Sequence, residues 1–292
     1  MTDDQLIERW LESKAPSSRD IYARDMETFR HFVGENRALS SIELGDVQRY
    51  ARHLTKAKSA RGTKFRKTSQ ARMINGVKSF FSFAAQHQYL PGNPTLAVRV
   101  PKPEEVLAER LLTAEEVERL IQAETNPRNH LLLVFIFTSG ARTSEAIGLQ
   151  WRHVKTNEEG GQITLFGKGS ETRTIVIPGE LYAELKALRN QVRGEPNDYV
   201  FSSQKGGPLS RHQVFRIVKN AAKKAGLSWA ISTHWLRHAH ATLAIEQGAP
   251  LHLIQKTLGH ASIQTTAKYT HARPNESSAL WLQRKRRNNG EP

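Results

Sequence analysis

The chain has 292 residues, a formal net charge of +15 at pH 7 and no cysteine. This length allows two domains of ordinary size, and the lack of cysteine excludes disulfides, thiolate metal sites and cysteine nucleophiles. The hydrophobic fraction of 38% contains no extended apolar run, so we expect no membrane span. Residues 1–9 lack the features of a secretory signal, and we therefore expect a cytoplasmic protein.

Basic residues are concentrated in one stretch of the chain. No Asp or Glu occurs between Asp46 and Glu104, whereas that stretch holds Arg49, Arg52, Lys56, Lys58, Arg61, Lys64, Arg66, Lys67, Arg72, Lys78, Arg99 and Lys102. Such a segment suits a phosphate backbone, because each neutralised phosphate releases condensed counterions. A solvated basic surface is the alternative interpretation. Phe80, Phe81 and Phe83 lie in the same stretch, so it belongs to a folded unit.

The first third of the chain predicts four amphipathic helices. Apolar residues recur at helical spacing in the stretches 6–11, 22–33, 47–54 and 73–84. Ser17 is a candidate cap of the second helix, and the Pro-Gly-Asn-Pro sequence that follows the fourth stretch ends it. Four helices of this length can bury a small common core.

Residues 99–110 predict a linker between two domains. They contain two prolines and no helical period, which is typical of a semi-extended segment. We therefore predict one domain over residues 1–98, a second over 111–273 and a tail over 274–292.

The second domain is predicted to be mainly helical with one small sheet. Its first helix starts at Thr113, where Glu116 completes a reciprocal capping pair. The apolar run 131–138 favours a buried helix, although a buried strand has the same pattern. Two β-prone runs, 162–166 and 174–177, predict a hairpin with a glycine-rich tip. Further helical patterns occupy 210–226, 235–247, 251–258 and 263–270.

Two places in this domain have residues suited to binding a phosphate. A flexible turn directly precedes Arg142 at the start of a predicted helix, where backbone N–H groups and the guanidinium both favour an anion. A surface arginine paired with Glu145 explains that pattern equally well. His234 and Arg237 share a helix face, so the arginine can supply permanent charge and the histidine a movable proton. A capping histidine beside an exposed arginine is the alternative there.

Together with the residues that follow them, these patterns resemble the tyrosine recombinases, also called the phage integrase family, and among them the compact Xer-like members. His240 and the tip residues 170–172 depart from the common pattern, and they leave the close subfamily open. The resemblance covers nearly the whole chain. The matched residues, in chain order, are Asn93-Pro94, Arg142 within Thr138-Ser139-Gly140-Ala141-Arg142-Thr143-Ser144-Glu145, Lys168 within Gly167-Lys168-Gly169, Arg173 with Ile177 and Pro178, His234, Arg237, His260 and Tyr269.

The resemblance implies a mainly α fold. An N-terminal four-helix core-binding (SAM-like) domain would join an α-rich catalytic domain that contains a small antiparallel β-sheet, and the two would form a C-shaped DNA clamp. It also implies a site-specific recombinase that cleaves and rejoins double-stranded DNA at specific recombination sites through a 3′-phosphotyrosine intermediate and a Holliday junction. The expected assembly is a monomer in solution and a homotetramer on DNA, associated with the nucleoid and not with a membrane.

Phosphodiester cleavage needs charge stabilisation on the non-bridging oxygens. Arg142 and Arg237 can each offer paired donors to those oxygens, and His260 can add another. Two arginines remove the need for a metal, so neither a metal nor a cofactor is expected.

The reaction also needs a nucleophile and proton carriers. A tyrosine with an unperturbed pKa of about 10 is a poor nucleophile at neutral pH, so Tyr269 needs a base, and His234 is our candidate. Lys168 on the hairpin turn is the candidate acid for the departing 5′ oxygen.

The basic residues predicted to contact DNA lie in both domains. In the tail, Leu280 and Trp281 precede the basic run 284–287, and this segment predicts either a contact with a neighbouring subunit or binding to its own domain. The predicted DNA contacts are Arg49, Arg52, Lys64, Arg66, Lys67, Arg72, Lys78, Arg173 and Arg211.

Two other functions are compatible with parts of the sequence. A type IB topoisomerase shares the tyrosine chemistry, but the Xer-like N-terminal helices and the short chain argue against it. A catalytically inactive DNA-binding regulator would explain the basic surface alone, yet every matched catalytic position is retained.

Overall fold

The computed structural model describes residues 1–59, 62–102, 111–158, 160–167, 172–260, 262–267 and 269. The chain forms two compact units, Met1–Glu105 and Val106–Pro292, which we call the N-terminal unit and the C-terminal unit. Each unit has a hydrophobic core of its own. Much of the predicted linker, residues 103–110, lies outside the described residues, so the predicted domain limits stay a prediction.

The described part of the N-terminal unit contains the four predicted helices, and a short 3-10 helix, Leu39–Ser41, follows the second of them. The prediction of Ser17 as a cap is wrong. Ala15 is the residue that precedes the second helix, and Pro16, whose ring presets a helical φ, opens it. The helices are α1 (Asp3–Glu12), α2 (Pro16–Val33), α3 (Leu44–Lys56) and α4 (Lys67–Gln86).

Aromatic side chains fill the core of the N-terminal unit. Trp10, Phe29, Tyr50, Phe80 and Phe81 are fully buried. Trp10 meets Phe80 edge-on with ring centroids 5.5 Å apart, and Phe29 meets Tyr50 in the same way at 5.1 Å. Helix α4 packs against each of the other three helices, so its long apolar face organises the unit.

Helices also dominate the described part of the C-terminal unit. The reciprocal cap predicted at its start is present, since Thr113 N–H donates to Glu116 Oε2 at 2.9 Å and Glu116 N–H to Thr113 Oγ1 at 3.2 Å. The helices are α5 (Ala114–Gln122), α6 (Pro127–Ser139), α7 (Thr143–Gly148), α8 (Gly179–Val192), α9 (Arg211–Lys224), α10 (Thr233–Glu246), α11 (Leu251–Leu258) and α12 (Ile263–Ala267).

A small antiparallel sheet accompanies these helices. Its strands are β1 (Val154–Asn157), β2 (Gly160–Phe166) and β3 (Thr172–Pro178), in the order β1-β2-β3. The β2–β3 pair is the predicted hairpin, with Leu165 opposite Arg173. Strand β1 was not predicted, because it is short and lacks an alternating apolar pattern.

The apolar run at 131–138 is a buried helix, as predicted. It lies in α6, which starts with an Asn126 cap and with Pro127 in its first turn, and which packs against α10. Helix α8, which was not predicted, buries Leu181 and Leu185 in the same core. Among the described helices, none has both the length and the apolar character needed to cross a membrane.

Candidate active site

A left-handed glycine places Arg142 at the start of a helix. Helix α6 ends at Ser139, and Gly140 follows with φ +60°, a conformation that favours glycine. A Cβ atom at Gly140 would lie 2.6 Å from Leu258 Cδ2, so the turn also needs a residue without a side chain. The chain then enters α7 with Arg142 in the capping position, as the sequence predicted.

Arg237 lies on α10 and is buried. Its guanidinium donates to the Gly140 carbonyl and, at 2.6 Å, to the Leu258 carbonyl. Burial, with repulsion from the charges of Arg142 and Arg173, lowers the pKa of Arg237 to about 10. The side chain is therefore still a cation at neutral pH, and it joins the end of α6 to the end of α11.

Glu145 is a fully buried carboxylate that holds Arg142. The Arg142 backbone N–H donates to Glu145 Oε2 at 2.7 Å, and Arg142 Nη1 donates to Oε1 at 2.9 Å. Arg142 Nη2 donates to the Gly259 carbonyl at 3.0 Å. Burial by itself would raise the pKa of Glu145, but hydrogen bonds and charge from Arg173 and Arg142 outweigh it and lower the pKa. Glu145 is therefore ionised at neutral pH.

Arg173, predicted as a DNA contact, lies inside this network. Its side chain is 12% exposed, and it donates both terminal nitrogens to Glu145, at 2.6 and 2.7 Å. The third nitrogen donates to the Thr257 carbonyl at 2.7 Å. These bonds join β3 to α7 and α11, so Arg173 supports the position of Arg142 through their shared carboxylate.

Tyr269 lies beside His260 and close enough to Arg237 to feel its charge. The two rings are nearly parallel, at 11°, with centroids 6.4 Å apart, and Tyr269 is 6% exposed. His260 Nδ1 lies 2.8 Å from Thr266 Oγ1, which fixes the ring. The Tyr269 hydroxyl lies 2.7 Å from Nδ1 of His238. The predicted helix at 263–270 is shorter in the structure, and Tyr269 occupies a turn after it.

His234 lines an open cavity of about 350 Å³ on the same unit. Arg142, Thr233 and Arg211 also line this cavity, and His234 is exposed in its wall. Thr143 Oγ1 and Thr233 Oγ1, 2.6 Å apart, join α7 to α10 at the cavity. The cavity thus brings Arg142 together with Arg211, which is one of the predicted DNA contacts.

His234, His260 and Tyr269 are neutral at pH 7. Burial, with the charges of Arg237 and Arg142, lowers the pKa of His234 and lowers that of His260 to about 4. Burial raises the pKa of Tyr269, and the charge of Arg237 offsets part of that rise. The phenol is therefore protonated at pH 7.

His240, which departs from the family pattern, has a structural contact. Its Nδ1 lies 2.8 Å from the Phe137 carbonyl in the last turn of α6. Burial is the main cause that lowers the pKa of His240 to about 4, so the ring is neutral at pH 7. The ring satisfies a carbonyl that the helix end leaves without an intrahelical partner.

Five of the six predicted catalytic residues fall within the described residues and lie in the C-terminal unit. The sixth, Lys168, lies outside the described residues. Lys168 belongs to the segment between β2 and β3. Arg173, the second residue of β3, is bonded to Glu145. Two residues of the site were not predicted: Glu145, which was considered as the partner of a surface arginine and not as the shared partner of Arg142 and Arg173, and His238. Their spacing, three residues after Arg142 and four after His234, was the available signal.

The basic residues predicted to contact DNA have different surroundings. Arg52, Lys64, Arg66, Lys67 and Arg211 are exposed. Two others form ion pairs within the N-terminal unit, Arg49 with Asp46 and Arg72 with Asp25. The Lys78 ammonium donates to the Thr95 and Val98 carbonyls, each at 2.9 Å, which is a structural role.

Two family models match the chain. The model of the phage integrase family matches residues 110–276, and that of the phage integrase N-terminal SAM-like domain matches residues 7–88. The chain belongs to the phage integrase family. It is a tyrosine recombinase of the Xer and integrase type, an enzyme of site-specific recombination. The mainly α fold with a SAM-like N-terminal domain and a small antiparallel sheet is confirmed.

Named relatives of this recombinase align with nearly all of it. Tyrosine recombinase XerD of Halalkalibacterium halodurans is 31% identical over 280 residues, which cover 91% of this chain and 90% of the relative. XerD of Pseudomonas aeruginosa is 30% identical over 276 residues, with coverages of 90% and 89%.

Solved structures share the fold of this recombinase. XerA recombinase is 26% identical with a TM-score of 0.52, covering 95% of this chain and 96% of its own. XerH site-specific recombinase, in a pre-cleavage complex with its difH substrate, is 23% identical with a TM-score of 0.70, covering 90% and 77%.

Proposed function

We propose that this recombinase cuts and rejoins DNA at specific sites through a covalent link between Tyr269 and the 3′ phosphate of the cut strand. One observation supports this most. Arg237 and Arg142 donate to the carbonyls of two consecutive residues, Leu258 and Gly259, and His260 is the next residue. The two cations therefore reach a common point at which a phosphate could be held, beside the ring of Tyr269.

Charge stabilisation is the role of the arginine pair in this proposal. Each guanidinium presents a planar set of donors to the non-bridging oxygens, and His260 adds a further N–H donor. Glu145 holds Arg142 before DNA arrives, so the site does not reorganise during the reaction. With this charge supplied by side chains, the cleavage step requires neither ATP nor a metal.

Proton transfer completes the step. Tyr269 gives its proton to a histidine of α10 as its oxygen attacks phosphorus. The bond from phosphorus to the 5′ oxygen breaks, and Lys168 gives a proton to that departing oxygen. The phosphotyrosine bond keeps the energy of the broken phosphodiester. A second 5′ hydroxyl can therefore reverse the attack, and exchange between two sites passes through a Holliday junction.

Double-stranded DNA carrying a recombination site is the proposed partner. The net charge of +15 and the exposed basic residues support it, and XerH was solved with its difH DNA. We further propose that the chain is a monomer in solution and forms a tetramer on paired sites. Its DNA partner places it with the nucleoid in the cytoplasm.

A covalent-trapping experiment tests the role of Tyr269. The purified protein is first used to enrich genomic fragments, and the bound site is then prepared with a nick that traps cleavage. The wild-type chain should give a protein–DNA adduct that survives a denaturing gel. Tyr269→Phe should bind the same DNA with unchanged affinity and give no adduct.

A matched tyrosine variant controls this experiment. Tyr182 lies in the same unit, with its ring packed over Gly161, and Tyr182→Phe should retain the adduct. An adduct formed by Tyr269→Phe would reject Tyr269 as the nucleophile. Junctions between two sites separate a recombinase from a topoisomerase, which would relax supercoiled DNA without them.

A further inference from the structure

A histidine outside the predicted catalytic set contacts the hydroxyl of Tyr269. Nδ1 of His238 lies 2.7 Å from that oxygen, within the range of a strong O–H hydrogen bond, and the two ring centroids are 5.5 Å apart. Tyr269 is 6% exposed and packs with Ala241 and Leu258, so bulk water has little access to its ring. His238 is thus placed to receive the phenol proton directly.

Helix α10 separates the two histidines by one turn. His234 and His238 are four residues apart on one face, with ring centroids 6.4 Å apart. His234 faces the open cavity that Arg142 also lines, whereas His238 faces the Tyr269 hydroxyl. The geometry thus places His234 where a DNA phosphate would enter and His238 where the nucleophile sits.

We propose that His238, in place of the predicted His234, holds the Tyr269 phenol and accepts its proton during cleavage. This inference rests on the proposed role of Tyr269 as the nucleophile. It leaves His234 at the cavity wall, where its N–H can donate to a phosphate oxygen beside Arg142.

The proton and electron pairs balance in this step. The O–H bond of Tyr269 breaks and its proton moves to the lone pair on Nδ1 of His238. The phenolate oxygen forms the bond to phosphorus, and the bond from phosphorus to the 5′ oxygen breaks with its electron pair on that oxygen, which takes a proton from Lys168. In rejoining, His238 returns the proton to the phenol.

Positive charge around the pair favours the phenolate. Arg237 lies on α10 with His238, and its positive charge acts to lower the pKa of Tyr269. This charge therefore favours the ionised phenol. The titratable and charged groups that surround the pair come from several elements: His234 and Arg237 of α10, His260 after α11, Arg142 and Glu145 of the α7 start, and Arg173 of β3.

Single-turnover cleavage of the nicked substrate tests the proposal. His238→Asn keeps an oxygen acceptor near the position of Nδ1 but cannot carry the proton, whereas His238→Ala removes both functions. Both variants should bind DNA normally and cleave about 10²- to 10⁴-fold more slowly at pH 7. Because hydroxide then replaces the base, their rates should rise about tenfold per pH unit from pH 7 to 9, a dependence the wild type should not share.

Controls keep the outcome interpretable. His252→Asn changes an exposed histidine of α11 and should cleave at the wild-type rate. Circular dichroism and DNA affinity establish that each variant is folded. If His238→Asn is unstable, His238→Gln replaces it, because glutamine also cannot relay the proton.

Three results would overturn the inference. His238→Asn could cleave as fast as the wild type at pH 7, it could cleave faster, or its deficit could stay constant from pH 7 to 9, as a purely structural role predicts. Failure of the wild type itself to form an adduct would be a different result, since it would reject the proposed function.

Discussion

A carboxylate that solvent does not reach holds two guanidinium groups in the C-terminal unit. Glu145 accepts from Arg142 and Arg173 together. A buried ion group of this kind is sensitive to the loss of one member, because the remaining charges are left without compensation. The sequence offers the pair of Arg142 with Glu145 only as the alternative interpretation of Arg142. It does not predict the second arginine, because Arg173 reaches Glu145 only after β3 has packed beside α7.

Replacing Glu145 with glutamine tests this arrangement. Glu145→Gln keeps the shape of the side chain and removes its charge, so Arg142 and Arg173 lose their counter-ion. The free energy of unfolding should fall by about 3 to 5 kcal/mol, measured by urea titration at pH 7. The exposed Glu184 of α8 provides the control, and Glu184→Gln should stay within about 0.5 kcal/mol of the wild type. Equal stability of the two variants would contradict the assigned role of Glu145.

At the scale of elements, the end of α6 determines where Arg142 starts the next helix. The Gly140 carbonyl accepts from Arg237, and its Cα faces Leu258 of α11. Three helices thus meet at a residue that has no side chain. A substitution there changes both backbone strain and packing.

Gly140→Ala should therefore destabilise the protein. The left-handed conformation costs a non-glycine residue about 1 to 2 kcal/mol, and the 2.6 Å approach of the new Cβ to Leu258 Cδ2 adds to that cost. We expect a loss of about 2 kcal/mol or more in urea unfolding, together with slower cleavage as the Arg237 acceptor shifts.

A second glycine supplies the opposite expectation. Gly148 ends α7 with open space around it, and Gly148→Ala should be neutral or should stabilise by up to about 1 kcal/mol. Equal changes in the free energy of unfolding for the two substitutions would contradict the requirement for glycine at position 140.

The elements differ in how far the sequence predicts them. The Thr113 cap and the β2–β3 hairpin carry strong local signals, whereas the α6 run carries a weaker signal that a buried strand would share. Each of the three is confirmed. β1 is missing from the predictions, since such a short strand is stabilised by pairing with β2 and not by a pattern of its own. The role of His238 was not predicted either, because its contact with Tyr269 joins residues 31 positions apart and depends on the tertiary fold.

At the scale of the whole molecule, the basic residues of the N-terminal unit separate into two groups. Arg66 is exposed at the start of α4, whereas Lys78 of the same helix donates to backbone carbonyls of the segment that follows it. Sequence composition cannot distinguish them, because the distinction depends on where residues 95–98 pack. The two groups should respond differently to salt.

Salt titration of DNA binding can measure this difference. Arg66→Gln should reduce the slope of log K against log salt by about 0.9, as expected for one lost phosphate contact. Lys78→Met should leave the slope unchanged and lower the free energy of unfolding by about 1 to 3 kcal/mol, because the Thr95 and Val98 carbonyls lose their donor. A slope that is unchanged for Arg66→Gln, or reduced for Lys78→Met, would contradict this separation.

The bonds of Arg173 limit how this protein can diverge. Residues 168–171 lead directly into β3, and Arg173, its second residue, is bonded to Glu145 and to the Thr257 carbonyl. A lineage that lengthens or shortens this hairpin to accept a new target therefore also disturbs Arg173 and, through Glu145, the position of Arg142. The N-terminal unit, whose core shares no residue with that network, is freer to change. New target preferences should arise there first.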